Sequence, residues 1–152
     1  MNFPMSDITY TAEDLENHDA VAAVIKDSQG NILVQDHVKF GFWTIPIGKA
    51  KPGQTPEEGL RQELKEECGI NVVEFRKIGT KVKEYERNGK IVKLTVHLYD
   101  VHSYRGKIEN KEPTKHRTQK FMTVQEIMKL PYLSDSIILY LQHIGHPRQA
   151  QL

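Results

Sequence analysis

The hydrophobic pattern changes period several times along the chain. "AVAAVIKD" is an almost unbroken apolar run and predicts a buried strand. "SQGN" supplies turn residues, and "ILVQDHV" is expected to return as the partner of that first strand. "KFGFWTIPIGKAKPGQ" mixes Gly, Pro and aromatic residues around one short strand, "WTI". Leu60, Leu64 and Cys68 then step by four, the spacing of a helix stripe. Thr55 precedes the stripe as a natural N-cap, Pro56 suits the first helical position, and Glu58 completes a capping box. Gly69 can close this helix in the left-handed conformation.

Beyond the helix, "NVVEFRKIGTKVKEYERNGKIVKLTVHLYDVHSY" reads as strands around an Asn88-Gly89 hairpin turn. Val92, Leu94, Val96 and Leu98 alternate along one face. A charged loop over 105–117 leads into "FMTV". Thr123 and Glu126 form a second capping box before a short helix that ends at Pro131. Ser134 or Asp135 caps a last helix, which buries Ile137, Ile138, Tyr140, Leu141 and Ile144 and stops at Gly145 and Pro147. Residues 1–17 read as an N-terminal arm, with "TAEDLEN" as a short helix, and 18–152 as one domain. Partly antiparallel strands with helices before, between and after them predict an α/β fold, a mixed sheet covered by helices.

Composition narrows the classes. The 152 residues suit one domain, and 38% apolar with 27% charged residues suits a globular chain. A formal net charge of +1 gives no bulk attraction to nucleic acid or membrane. The single cysteine, Cys68, cannot form an internal disulfide, its place on the apolar stripe reads as packing, and a reducing compartment is expected. The start is too polar for a signal peptide, and no apolar run reaches membrane-spanning length. The expected location is cytoplasmic.

The chemistry gathers in "ELKEECG". At about 100° per residue, Glu63, Glu66 and Glu67 fall within an arc of about 100° at the edge of the apolar stripe, and Lys65 points elsewhere. Two like charges about 4 Å apart repel by about 1 kcal/mol in water and about 4 kcal/mol at a protein-surface dielectric. The patch is therefore either a solvated face or, set against the core, a site for a cation. Hard oxygen donors suit Mg²⁺, Mn²⁺ or Ca²⁺, and Mg²⁺ typically brings phosphates.

"GKAKPGQTPEEGLRQELKEECGI", Gly48 to Ile70, resembles the signature of the Nudix hydrolases, G-x5-E-x7-R-E-U-x-E-E-x-G-U with U a bulky aliphatic. Gly48, Glu63, Leu64, Glu66, Glu67, Gly69 and Ile70 stand at the pattern's spacing, while Gln54 replaces its first glutamate and Gln62 its arginine. The signature covers 23 of 152 residues, and the order of elements around it is similar to the family's α/β/α sandwich over 18–145.

The resemblance implies divalent-metal-dependent cleavage of a pyrophosphate bond in a nucleoside diphosphate linked to X, with Mg²⁺ as cofactor and Mn²⁺ as an alternative. It implies Glu63, Glu66 and Glu67 as metal ligands and catalytic groups, with Glu63 or Glu66 as general base. The backbone carbonyl of Ile47 is an implied extra ligand, and Glu112 of "EPTKHRTQKF" an outer acid. Phe40, Trp43 and Tyr85 are expected near the base, Phe42 in the core, and Lys49 and Lys51 near phosphates. The scattered histidines carry no assigned role. In the family, the missing glutamate and arginine support the loop against the helix, so Gln54 and Gln62 are expected as a paired amide replacement that orients Glu63 less firmly.

By resemblance to the family's subtypes, Tyr85 near the tyrosine of the dinucleoside-polyphosphate type, and the absence between Pro56 and Pro113 of the proline of the ADP-ribose type, imply a nucleoside triphosphate or dinucleoside polyphosphate. The alternatives are ADP-ribose or a nucleotide sugar, an RNA 5′ end (the one case with a nucleic-acid partner), and a non-catalytic nucleotide-binding module. No membrane partner is expected.

Overall fold

The computed structural model describes residues 9–146. The parts of the expected arm and domain at 1–8 and 147–152, Pro147 included, lie outside these. Seven strands and three helices follow in order: β1 His18–Ile25, β2 Ile32–His37, β3 Phe42–Thr44, β4 Ile47–Lys49, α1 Pro56–Cys68, β5 Asn71–Arg87, β6 Lys90–Arg105, β7 His116–Met122, α2 Val124–Met128 and α3 Asp135–His143. In the N-terminal arm, Glu13–Leu15 form a single 3-10 turn.

The strands divide into two sheets. One runs β4-β1-β6-β5, with β1 parallel to β6 and the other pairings antiparallel; the second, β3-β2-β7, is antiparallel throughout. This corrects two expectations. "ILVQDHV" is not the ladder partner of "AVAAVIKD", because β1 and β2 belong to different sheets, joined in backbone pairing by the single Lys26–Ile32 bridge. β1 is buried from Ala20 to Ile25 and is flanked on both sides by β4 and β6, so it has no free edge for β2. The glycine-rich segment also holds two short strands rather than one, and the second, β4, joins the first sheet.

β1 sorts the core by parity, as strands do. Val21, Ala23 and Ile25 face α1, where they pack with Leu60, Leu64, Cys68 and Tyr99. Ala20, Ala22 and Val24 face the other way, toward Val96, Leu98, Ile127, Ile137, Ile138 and Leu141 of β6, α2 and α3. Helices thus cover both faces of a mixed sheet.

Local chemistry sets the element ends. The Thr55 hydroxyl accepts from the Glu58 amide at 3.1 Å, and the Glu58 carboxylate accepts from the Thr55 amide at 2.9 Å. Such a cap contributes about 1 kcal/mol. Gly69 closes α1 at φ 73°. Asn88 and Gly89, at φ 51° and 75°, turn the long β5–β6 hairpin. Thr123 and Glu126 form the second capping box, although α2 ends at Met128, before Pro131. Ser134, not Asp135, caps α3, and Ile144 is half-buried at its end. The charged loop is shorter than 105–117, since β7 already begins at His116. Among the described residues, no helix is long and apolar enough to cross a membrane.

Candidate active site

The site is built where α1, the β4 strand and the 106–115 loop meet. Gly48 of β4 lies directly against Glu63: a Cβ there would stand 2.2 Å from the Glu63 Oε2. Only glycine permits this approach. The 106–115 loop is fastened to the end of α1 by two main-chain bonds, from the Glu109 amide to the Cys68 carbonyl and from the Lys111 amide to the Glu67 carbonyl, each 3.0 Å. Those bonds bring Glu112 and Lys115 beside the helix carboxylates.

The resulting electrostatics are uneven. Glu67 is 3% exposed, and its Oε1 has no hydrogen-bond partner among the described residues. Burial pushes its carboxyl up to about 9, with Glu63 and Glu112 adding to the shift and Lys115 opposing it. Burial also raises Glu63, to about 7, helped by Glu66 and resisted by Lys115. Burial works against the charge on Lys115, but its contact with Glu112 (3.0 Å) and the fields of Glu112, Glu67 and Glu63 outweigh this and raise its pKa.

The structure thus brings Glu63, Glu67 and Glu112 into one field with Glu66 at its edge, and Ile47 sits beside Gly48 on β4. Among the described residues these groups do not form a ready-made cluster of three metal-ligating side chains. Their chemistry nonetheless fits a hard divalent cation: oxygen donors, a buried oxygen without a partner, and mutual repulsion that a cation would relieve.

The two departures from the signature form a chain of amides. The Lys51 amide donates to Gln54 Oε1 at 2.9 Å, Gln54 Nε2 donates to Gln62 Oε1, and Gln62 Nε2 donates to Glu66 Oε1 at 2.8 Å. Gln54 and Gln62 are therefore directly joined, as expected, and prop the loop against the helix. The carboxylate they orient is Glu66, not Glu63, because residues 62 and 66 are one turn apart on α1. Arg61 takes no part; it donates to the Val72 carbonyl and lies over the Phe75 ring.

The remaining expected residues scatter. The Lys49 ammonium pairs with the buried carboxylate of Asp14. The Lys51 side chain is exposed, though its charge reaches Glu63. Tyr85 donates its hydroxyl to Asp135 and lies under Arg87. Phe40 stacks on Phe42 at 5.5 Å, so Phe42 is half-buried within an aromatic cluster. Trp43 packs against the core cluster of β1 and α3, with Lys120 6.0 Å from its ring.

Sequence reasoning passed over Lys115, His116, Asp14 and Arg87. His116 is fully buried 4.0 Å from Glu67, and burial lowers its pKa. No spacing rule exposes a lone histidine at a strand start; Lys115 was visible only as part of "EPTKH".

Comparison with known proteins agrees with this architecture. The chain matches the NUDIX domain over residues 16–141, and it belongs to that family. It is 35% identical over 69 residues to an 8-oxo-dGTP diphosphatase of Proteus vulgaris, covering 42% of this chain and 61% of that protein. It is 34% identical over 92 residues to an oxidized purine nucleoside triphosphate hydrolase of Danio rerio, covering 60% of this chain and 54% of that one. Each match spans little more than half of the relative's own length. A MutT NUDIX hydrolase from Burkholderia pseudomallei superposes with a TM-score of 0.70 at 22% identity, over 86% of this chain and 99% of that chain, a likeness of fold.

Two outcomes follow from the electrostatics and the amide chain. Glu67 holds its proton more tightly folded than unfolded, so its contribution to stability is fully present below pH 4.5, its ordinary value, and is lost as pH rises toward about 9. Melting temperature in EDTA should fall between pH 5 and pH 9, Glu67→Gln should flatten that fall, and Mg²⁺ should restore more stability at pH 8 than at pH 5. Equal slopes in wild type and variant would remove Glu67 as the cause. For the amides, a double-mutant cycle with Gln54→Glu and Gln62→Arg should show the double variant exceeding the sum of the singles in stability. Additivity within about 0.3 kcal/mol would mean the two positions act independently.

Proposed function

We propose that this chain is a divalent-cation-dependent hydrolase that cleaves a pyrophosphate bond in a nucleoside triphosphate. The observation that carries this reading is the set of carboxylates on α1: Glu67 buried, Glu63 half-buried against Gly48 of β4, and Glu66 exposed beside them, joined by the half-buried Glu112. Buried like charges are costly unless compensated, and a hard cation compensates them without filling the site with a side chain. Family membership supports the same chemistry, and both relatives described above are named for purine nucleoside triphosphates.

In this reading Glu63, Glu66 and Glu67, with the Ile47 carbonyl, hold Mg²⁺ or Mn²⁺, and Glu112 acts from the outer shell. A bound divalent cation supplies phosphate charge neutralisation and a more acidic water. Glu63 or Glu66 takes the proton of the attacking water. The Gln62 amide holds Glu66 in place, and the Gln54–Gln62 bond keeps the phosphate-side loop seated on the helix. Lys115 sets the charge balance of the pocket through Glu112. Lys51 lies on the same loop, where its exposed ammonium can meet phosphate. For the base, Trp43 is the favoured stacking ring, because Tyr85 is already committed to Asp135 and Arg87.

A phosphate-release screen tests the substrate. Nucleoside triphosphates, with oxidised purines among them, should give the highest kcat/KM, above dinucleoside polyphosphates, ADP-ribose and 5′-triphosphorylated RNA, and turnover should vanish in EDTA. Glu67→Gln should keep the fold and lower turnover about a thousandfold, or about 4 kcal/mol of transition-state stabilisation. Wild-type turnover in that variant would refute the carboxylate assignment. Trp43→Ala should raise KM more than it lowers kcat, as expected when uniform binding is lost; an unchanged KM would place the base elsewhere.

A further inference from the structure

Outside the carboxylate site the described residues contain one dense charge cluster that the proposed reaction leaves unexplained. Asp14, at the centre of the 3-10 turn, is 2% exposed. Its two carboxylate oxygens are taken by different lysines, Oδ1 by Lys49 and Oδ2 by Lys39, and Oδ2 also accepts from the Thr11 amide at 2.9 Å. Its carbonyl accepts from Arg87 Nη1 at 3.0 Å. Arg87 is itself buried. Its guanidinium lies 5.1, 5.9 and 5.2 Å from the rings of Tyr10, Phe40 and Tyr85, and its Nε has no hydrogen-bond partner among the described residues.

Two lysines therefore hold a single carboxylate, and a third cation, Arg87, holds the backbone carbonyl of the same residue. Burial opposes charge on Asp14, yet the two lysines and the Thr11 amide hold its pKa far below the usual carboxylate range. The lysines come from separate segments, the β2–β3 loop and β4, so this is a tertiary construction rather than a charged run in sequence. They also keep 35% and 36% of their side-chain surface open, so an anion from solvent can reach both.

The position links this cluster to the carboxylates. Lys49 follows Gly48, whose Cα faces Glu63. Side chains alternate along a strand, so Lys49 projects from the opposite face of β4. β4 is an edge strand of its sheet. A polyphosphate chain lying across that edge can meet cation-bound carboxylates on one side and the Lys39–Lys49 pair on the other. Carboxylate and phosphate oxygens both accept charge-assisted hydrogen bonds from lysine, so the two can compete for the same donors.

We propose that Lys39, Lys49 and Arg87 form an anion subsite for the substrate's phosphate chain, and that Asp14 occupies it in the free protein as an internal anion which the substrate displaces. The proposal rests on the pyrophosphohydrolase reading for the identity of the incoming anion. The N-terminal turn then acts as a built-in competitor: the apparent affinity for a polyphosphate is the intrinsic affinity reduced by the fraction of molecules in which Asp14 has left.

Binding of inorganic tripolyphosphate, measured by calorimetry with Mg²⁺ and again in EDTA, tests this without any turnover. Asp14→Asn keeps the size of the side chain and removes its charge, and should bind tripolyphosphate about tenfold or more tightly than wild type. In the Asp14→Asn background, Lys39→Gln should abolish that gain. A second readout needs no variant. The amides of Asp14, Leu15 and Glu16 donate within the turn to Thr11, Ala12 and Glu13, and saturating tripolyphosphate should speed their hydrogen exchange in the wild-type protein. Unchanged or weaker binding by folded Asp14→Asn, or unchanged protection of these amides at saturation, would overturn the proposal. Absence of nucleotide turnover alongside tighter tripolyphosphate binding by Asp14→Asn would refute the proposed activity and leave the subsite standing.

Discussion

Glu67 carries a carboxyl group to the buried edge of α1 and leaves one of its oxygens without a partner. Much of the surrounding structure is arranged to make that tolerable. Gly48 gives up a side chain so that Glu63 can lie flat against β4. The 106–115 loop is tied by its backbone to the last turn of the helix, which sets Lys115 where its charge offsets part of the repulsion. The core on the α1 side is aliphatic and well closed, so the helix cannot rotate to return Glu67 to water without exposing Leu60 and Leu64. The raised pKa values of Glu67 and Glu63 measure the cost of that burial, and perturbed carboxylates of this kind commonly mark functional sites.

The amide chain from Lys51 through Gln54 and Gln62 to Glu66 shows how a signature can lose two charged positions and retain its geometry. An acid and a base cancel in charge, and so do two neutral amides. A single replacement would have left one unpaired charge in a half-dry loop. Each glutamine uses its oxygen toward the loop and its nitrogen toward the helix, so the direction of donation is uniform along the chain. Its consequence is a shift in which carboxylate is steadied, from the glutamate next to position 62 to the one a turn beyond.

The N-terminal turn and the carboxylate patch are opposite solutions to the same electrostatic problem. On α1, acids crowd together, with Lys115 and Lys51 offsetting part of their repulsion. Around Asp14, three cations crowd together with one acid. The β4 edge lies between the two, with Gly48 facing Glu63 and Lys49 paired to Asp14.

The sequence by itself determined the helix that carries the site, its two caps, the hairpin turn, and the identity of the three glutamates. These are local matters: a capping box spans four residues, a turn two, and a helix face repeats every turn, so each is written in neighbouring letters. The alternation of Val92, Leu94, Val96 and Leu98 on one face was equally legible, because side chains of a strand alternate whatever the strand pairs with. Only the tertiary structure decided that β1 and β2 part into separate sheets, since strand pairing is settled by which edges remain free once every strand is placed. It alone brought Lys115 and His116 to Glu67, and Lys39, Lys49 and Arg87 to Asp14. These partners lie 25 to 73 residues from Asp14 in the chain, and charge attraction over such separations leaves no periodicity to read. It also showed which oxygen is buried, and the burial of Glu67, with Glu63 half-buried beside it, is what separates this helix face from a solvated acidic surface.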